Sequence, residues 1–235
     1  MRFALLILIV ILPCLVLAAT LTVKQDGTGD YTVIQTAIDA ANPGDTVLVY
    51  PGRYYENITL QTSNITLMSL EGTTGDPALI DSTIIDGNRT DRCIEIMQEG
   101  IVVRGFSLTR GLTNTSGGGI YANVNETTVV DCKIFDNEAA FGGGVTFHDA
   151  SVNLAGVDIF DNYALHQGGG LYSATPNNDQ ALIDFDPINR CSIYNNRAGA
   201  GQDIYIHYAT SDLDIPLETF SVAEPSYYYA TYLSD

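Results

Sequence analysis

Three glycine triplets recur at a nearly fixed step, and they constrain the fold more than any other feature of the chain. Gly117-Gly118-Gly119-Ile120-Tyr121 returns as Gly142-Gly143-Gly144-Val145-Thr146 and again as Gly168-Gly169-Gly170-Leu171-Tyr172. A degraded copy, Gly201-Gln202-Asp203-Ile204-Tyr205, follows after a longer interval. The extra length fits an insertion around Thr175-Pro176-Asn177-Asn178-Asp179. A second block alternates with the first: Ile134-Phe135-Asp136-Asn137, Ile159-Phe160-Asp161-Asn162 and Ile193-Tyr194-Asn195-Asn196, each followed by an alanine at the second position beyond it. Leu108 lies one such step before Ile134, so the series starts earlier in weaker form.

Each repeat holds two or three short β-rich runs, such as Thr127 to Val130 and Ser151 to Leu154, separated by Gly, Asn and Asp. Such runs cannot bury their apolar side alone. A period of about 25 with short strands and no helical pattern predicts a coil that stacks parallel strands, an all-β solenoid. Alternation sends Ile134, Ile159 and Ile193 inward and the preceding column, Lys133, Asp158 and Ser192, outward. Asn137, Asn162 and Asn196 form a further column, expected to hydrogen-bond from rung to rung as a structural ladder. Cys132 and Cys191 share a column with Val157 between them. Two rungs of about 4.8 Å hold them about 10 Å apart, too far for a disulfide. With Cys93 they are an odd set at wide spacing, neither a zinc pattern nor a disulfide framework, and are expected as small buried hydrophobes.

The two ends differ from the repeats. Arg2 followed by the apolar run Phe3–Leu12, Pro13 and Val16-Leu17-Ala18 reads as a secretory signal peptide over 1–19. Export is then expected, to the extracellular space or the cell surface, with no membrane span in the mature chain. The coil should run over 20–208. Within it, Asp30 is the expected N-cap of a helix over Tyr31–Ala41, with Ile34, Ala37, Ile38 and Ala41 apolar at helical spacing and Asn42-Pro43-Gly44-Asp45 ending it. That helix is expected to cover the open end of the stack. The segment 209–235, with Pro216, Pro225 and Tyr227-Tyr228-Tyr229, breaks the repeat and is expected to begin a further segment. The formal charge of −18 and pI near 4.1 make nucleic acid and anionic lipid poor partners.

The run Asp26-Gly27-Thr28-Gly29-Asp30-Tyr31, then Ile34-Gln35 with Ala37-Ile38, Gly44-Asp45-Thr46-Val47 and Gly52-Arg53-Tyr54-Tyr55-Glu56, resembles the start of pectin-lyase-like right-handed parallel β-helix proteins, pectin methylesterases among them. The glycine triplets with Ile-x-x-Asn-x-Ala are similar to repeats of bacterial polymorphic outer-membrane proteins, with isoleucine in place of phenylalanine. Together these resemblances cover about 22–207. They imply a single-stranded right-handed parallel β-helix, and they say little about function, because this superfold hosts lyases, hydrolases, esterases and non-catalytic surface proteins. The esterase resemblance implies motifs reading approximately QDT, DFIFG and GRPW around the reacting groups. None occurs here, so esterase activity is not expected.

Other chemistry has partial candidates. A polysaccharide lyase needs a calcium-holding acidic cluster and a Lys or Arg base. Arg104 and Arg110 could serve as base, and Asp131, Asp136, Asp158 and Asp161 as acids. Asp136 and Asp161 fall in one column on adjacent rungs, about 5 Å apart. Carboxylates that close repel, share a proton or hold a cation, and the spacing also suits a retaining glycosidase pair. Asp before Asn is, equally, ordinary turn chemistry. No cofactor is expected beyond a calcium ion at such a pair. His148, His166 and His207 show no metal spacing and are not expected in one column. Five sequons, at Asn57, Asn64, Asn88, Asn114 and Asn125, are glycosylation acceptors in a eukaryotic source and only an Asn/Thr-rich surface in a bacterial one, which the repeat resemblance favours. Tyr121, Tyr172 and Tyr205 directly follow the apolar residue after the glycines and form one outward column interrupted by Thr146, a candidate strip for sugar binding. The expectation is therefore a secreted or cell-surface scaffold that binds glycans or other surfaces without catalysis. The alternative is a polysaccharide lyase or glycoside hydrolase.

Overall fold

The computed structural model describes residues 17–174, 183–207 and 215–220. Most of the expected leader, the insertion around Thr175–Asp179 and most of the tail lie outside the described residues. Three long all-parallel sheets, with a two-stranded parallel one beside them, make up the described fold. Sheet I stacks Thr20–Val23, Thr46–Val49, Thr66–Ser69, Val102–Arg104, Thr127–Val130, Val152–Ala155 and Ile183–Phe185. Sheet II stacks Gly52–Tyr54, Thr83–Asp86, Ser107–Thr109, Lys133–Phe135, Asp158–Phe160, Cys191–Tyr194 and Leu217–Phe220. Sheet III stacks Ile58–Leu60, Ile94–Ile96, Ile120–Ala122, Val145–His148, Leu171–Ala174 and Ile204–His207. From Thr46 to His207 the chain visits I, II and III in turn, so each circuit adds a strand to every sheet. That is a parallel β-helix.

The corners explain the punctuation of the sequence. Asp131 (φ 50°) turns the chain from sheet I to sheet II. Arg110, Asp136, Asp161 and Asn195 (φ 53–57°) turn it away from sheet II. These left-handed conformations are tolerated best by Asn, Asp and Gly. The glycine triplets answer a different need: a Cβ on Gly143 would meet the backbone of Tyr163 and of Gly169. The rungs touch backbone to backbone there.

Between the corners, alternation fills the interior. Tyr54, Ile85, Leu108, Ile134, Ile159 and Ile193 stand opposite one another on successive strands of sheet II and are buried. Each buried isoleucine contributes about 1.5–3 kcal/mol. Lys133, Asp158 and Ser192 are paired in the neighbouring column, as the repeat requires. They are less open than strand alternation predicts: Ser192 is buried and Asp158 half-buried. The three cysteines are free and buried, and burial pushes Cys93 and Cys132 up to about 12 and Cys191 to about 11.

One polar ladder runs through this interior in a fixed direction. The backbone N–H and Nδ2 of Asn137 donate to Asn162 Oδ1, both at 3.1 Å. Asn162 donates in the same way to Asn196 Oδ1, at 3.0 Å. Asn196 donates to Asp203 Oδ1, at 3.0 and 2.9 Å. Asp203 replaces the third glycine of its triplet, and the last rung needs only an acceptor, which a carboxylate supplies.

The helical parts depart from expectation. Helix α1 spans Ile34–Ala40, not Tyr31–Ala41. Asp30 does not cap it: its carboxylate accepts from the backbone N–H and the hydroxyl of Thr22 instead. The first N–H groups of α1, on Ile34 and Gln35, donate to Glu56 at 2.9 Å each. Ile34, Ala37 and Ile38 are buried, and α1 packs on Thr20–Val23, Thr46–Val49 and Ile58–Leu60. Two short helices the sequence reading lacked, α2 (Glu71–Thr74) and α3 (Ala78–Ser82), interrupt the circuit between sheets I and II.

Candidate functional site

The outer face of sheet III carries the tyrosine column. Glu95, Tyr121, Thr146, Tyr172 and Tyr205 stand opposite one another on successive strands. The three tyrosines are half-buried and Thr146 is fully buried. Thr146 is covered because Phe141 fills its place: the Thr146 hydroxyl donates to the Phe141 carbonyl at 3.1 Å. The Phe141 ring lies 5.3 Å from Tyr172 and 5.0 Å from His166. Tyr172 and Tyr205 stack at 5.7 Å with ring planes 11° apart. Below the gap, the Arg92 guanidinium sits 4.7 Å over the Tyr121 ring while pairing with Glu95 and donating to Thr115. Burial pushes the Tyr121 phenol up from its ordinary value, against the pull of Arg92. The row therefore reads Arg92, Tyr121, Phe141, Tyr172, Tyr205. Phe141 was missed because it belongs to a separate two-stranded sheet, Glu138–Phe141 with Tyr163–Gln167, that precedes the glycines.

Self-stacking limits what this row can do. Tyr172 and Tyr205 cover each other's faces, Phe141 leans on Tyr172 at 47°, and Arg92 covers a face of Tyr121. Such a surface offers hydrogen bonds and CH contacts more than flat platforms.

A second aromatic row, unforeseen from sequence, lies on sheet II. Phe135, Phe160 and Tyr194 stack at 5.2 and 5.3 Å with planes within 9°. They follow the inward isoleucines, so the Ile-Phe-Asp-Asn block itself carried the signal.

Of the catalytic candidates, Asp136 and Asp161 stand on neighbouring rungs, between the paired Phe135/Phe160 and the bonded Asn137/Asn162, while Arg104 lies on a different sheet. Asp136 and Asp161 occupy exposed corners after sheet II. Asp136 pairs with Arg89 at 2.8 Å. Arg104 ends a strand of sheet I. Its Nε and Nη2 donate to the two oxygens of buried Glu71 at 3.0 and 3.2 Å, and Nη2 also pairs with Asp131 at 3.0 Å. The bond to Glu71 holds its proton more tightly than usual, which opposes a role as base. Arg110 pairs with Asp86, a fully buried carboxylate that Arg53 also contacts. Among the described residues, no three His, Cys, Asp or Glu side chains converge as a metal site requires.

The histidines need one correction. His148 stands opposite Ala174, and Ala174 opposite His207, so His148 and His207 do share a column, two rungs apart. The insertion before the last rung hid that alignment in the sequence. His148 Nδ1 lies 3.4 Å from Asp149.

No family model matches the chain, and no curated protein sequence matches it. Solved structures do. A pectin methylesterase from carrot is 15% identical, with a TM-score of 0.40 over 80% of this chain and 62% of its own. A pectin methylesterase from Erwinia chrysanthemi is 9% identical, with a TM-score of 0.37 over 82% of this chain and 66% of its own. One from Aspergillus niger is 14% identical, at 0.37 over 88% and 91%. The chain thus spans less than two thirds of the carrot and Erwinia enzymes. Likeness at this level transfers no residue roles; the fold assignment rests on the sheet topology above. Among the described residues, no helix is long and apolar enough to cross a membrane.

Proposed function

We propose that the protein is a secreted or cell-surface β-helix scaffold that binds glycan through the outer face of sheet III without cleaving it. The observation that carries this reading is the outward column of Tyr121, Tyr172 and Tyr205, with Phe141 packed against Tyr172 and with Arg92 and Glu95 beside Tyr121. Ring edges contact the CH faces of a sugar, while phenol, guanidinium and carboxylate groups hydrogen-bond its hydroxyls. A rigid stack repeats these groups about every 4.8 Å, which suits a polymer more than a monomer. The lyase or hydrolase reading has less support: Asp136 and Asp161 are neighbours at an exposed corner, but Asp136 is paired with Arg89, and Arg104 is held by Glu71 and Asp131 on another sheet.

The test is retention on immobilised polysaccharides, using the triple variant Tyr121→Phe, Tyr172→Phe, Tyr205→Phe. It keeps every ring contact and removes only the hydroxyls. Retention should fall severalfold with an unchanged melting temperature. Equal retention by both proteins on every polysaccharide would refute the assignment of this face. Release of reducing ends or unsaturated products by the purified chain would establish the enzyme instead.

A further inference from the structure

The face that carries the tyrosine row is short of positive charge. No strand of sheet III contains a lysine or an arginine. Among the described residues, the cation that reaches the row is Arg92, from the turn preceding Ile94–Ile96, with its guanidinium 4.7 Å over the Tyr121 ring. On a sugar-binding face such an arginine is the natural partner of a carboxylate or sulfate. This one is already matched. Nη1 donates to Glu95 Oε1 at 2.5 Å, Nη2 donates to Thr115 Oγ1 at 2.9 Å, and Nε lies 3.9 Å from Asp91 Oδ1.

The match follows from the strand register. Glu95 stands one rung before Tyr121 in the same outward column, and Arg92 precedes it by three residues, at the entry to its strand. The Arg92 side chain is only 14% exposed, and Glu95, at 33%, is the more open member of the pair. A cation held that far from water requires a compensating charge. Glu95 supplies it. Asp91 adds a second carboxylate, so the cluster has no positive excess, on a chain whose net charge is −18. Its N–H groups and carboxylate oxygens suit hydroxyls, but it offers no unmatched charge to hold an acid.

We propose that Glu95 makes this face selective for uncharged glycans, by occupying the arginine that would otherwise hold an acidic one. The inference rests on the glycan-binding reading above. An acidic polymer gains no free cation at Arg92 and meets Glu95 and Asp91 as like charges. A neutral polymer meets ring edges, phenols and a closed ion pair, none of which needs a charged partner. Glu95 thus sets specificity through Arg92.

Retention of the full chain on matched polymers tests this. Hydroxyethyl cellulose is set against carboxymethyl cellulose, and dextran against dextran sulfate, so that each pair shares a backbone and differs in charge. Salt at about 0.15 M screens the long-range field of the acidic chain, and pH 8 lies above the ordinary range of histidine. Wild type should be retained more by the uncharged member of a pair than by the acidic one. Glu95→Ala should raise the acidic-to-neutral retention ratio about tenfold, as one new charge-assisted contact implies. Glu95→Gln, which keeps the side chain in place, should raise it less. Glu218→Ala removes the same charge from an exposed position on sheet II and should move the ratio by less than about twofold. Adding Arg92→Gln to Glu95→Ala should return the ratio to the wild-type value. Melting temperatures show that each variant is folded. Wild-type retention at least as strong on the acidic members, equal ratios for Glu95→Ala and Glu218→Ala, or a gain that survives Arg92→Gln would overturn the role of Glu95 and leave glycan binding standing. Failure of every polymer to retain wild type or variant would refute glycan binding, and this inference with it.

Discussion

Exchanging amide and carboxylate at two rungs of the asparagine ladder should have unequal effects, because the ladder has a direction. Asn162 accepts at Oδ1 from the N–H and Nδ2 of Asn137. Its Nδ2 donates to the carbonyls of Ile134 (2.8 Å) and Phe160 (3.0 Å) and to Asn196 Oδ1 (3.0 Å). Asn162→Asp cancels all of that donation and sets a charged oxygen against three acceptors, at a position 1% exposed. An orphaned buried polar group costs about 1–3 kcal/mol, and an unpaired buried charge more. The expected loss is therefore about 3–5 kcal/mol at neutral pH. Asp203→Asn keeps an oxygen for both donors on Asn196, so its cost should stay within about 1 kcal/mol. Urea unfolding measures both, with an unchanged slope showing that stability alone has moved. Acidification should restore part of the loss in Asn162→Asp, because the protonated acid can donate again. Equal midpoints for the two variants, or a larger loss for Asp203→Asn, would refute the direction assigned to the ladder.

Ile159→Asp should prevent folding or cause aggregation, since it puts an unpaired charge into a column with no exposure, whereas Asp158→Asn should be nearly silent. Burial holds the Asp158 carboxyl above its ordinary range, against Ser192 and Lys133, so the folded state binds that proton more tightly than the unfolded one. Its contribution is present below the unfolded pKa of about 3.9 and is lost as pH rises through the folded value. Asp158→Asn should flatten that part of the stability–pH curve. Cys93, Cys132 and Cys191, with thiols pushed to about 12, 12 and 11, should resist a thiol-specific reagent in the native protein and react fully in denaturant. Gly143→Ala should cost at least about 3 kcal/mol by chemical denaturation, because the added methyl meets backbone that cannot move aside.

The repeats were legible where one residue type meets the same need on every rung. Isoleucine fills the interior of sheet II, asparagine satisfies the turn behind it, and glycine permits backbone contact before sheet III. Tyr54, Ile85 and Leu108 extend the isoleucine column, but α2 and α3 stretch the spacing between circuits, so the early rungs show no period. Asp203 was harder to read because it sits in the glycine column while its side chain does the work of the next asparagine. Phe141 and the cover over Thr146 depend on contact between two different sheets, which no single-strand alternation reveals. The engagement of Arg104 was equally hidden, since Glu71 reaches it from a short helix with no counterpart in the other repeats.

The register of the coil is the claim on which every site above depends, and engineered disulfides test it directly. Thr128 and Asn153 stand opposite each other on neighbouring strands of sheet I. Their separation of about 4.8 Å lies within the range a disulfide spans. Thr128 and Asp184 are two rungs apart, about 10 Å, which is beyond it. Under mild oxidation, Thr128→Cys with Asn153→Cys should form an intramolecular bond, seen by mass spectrometry of linked peptides, and Thr128→Cys with Asp184→Cys should not. A bond in the second pair, or only in the second pair, would contradict the stacking order from which the whole account is built.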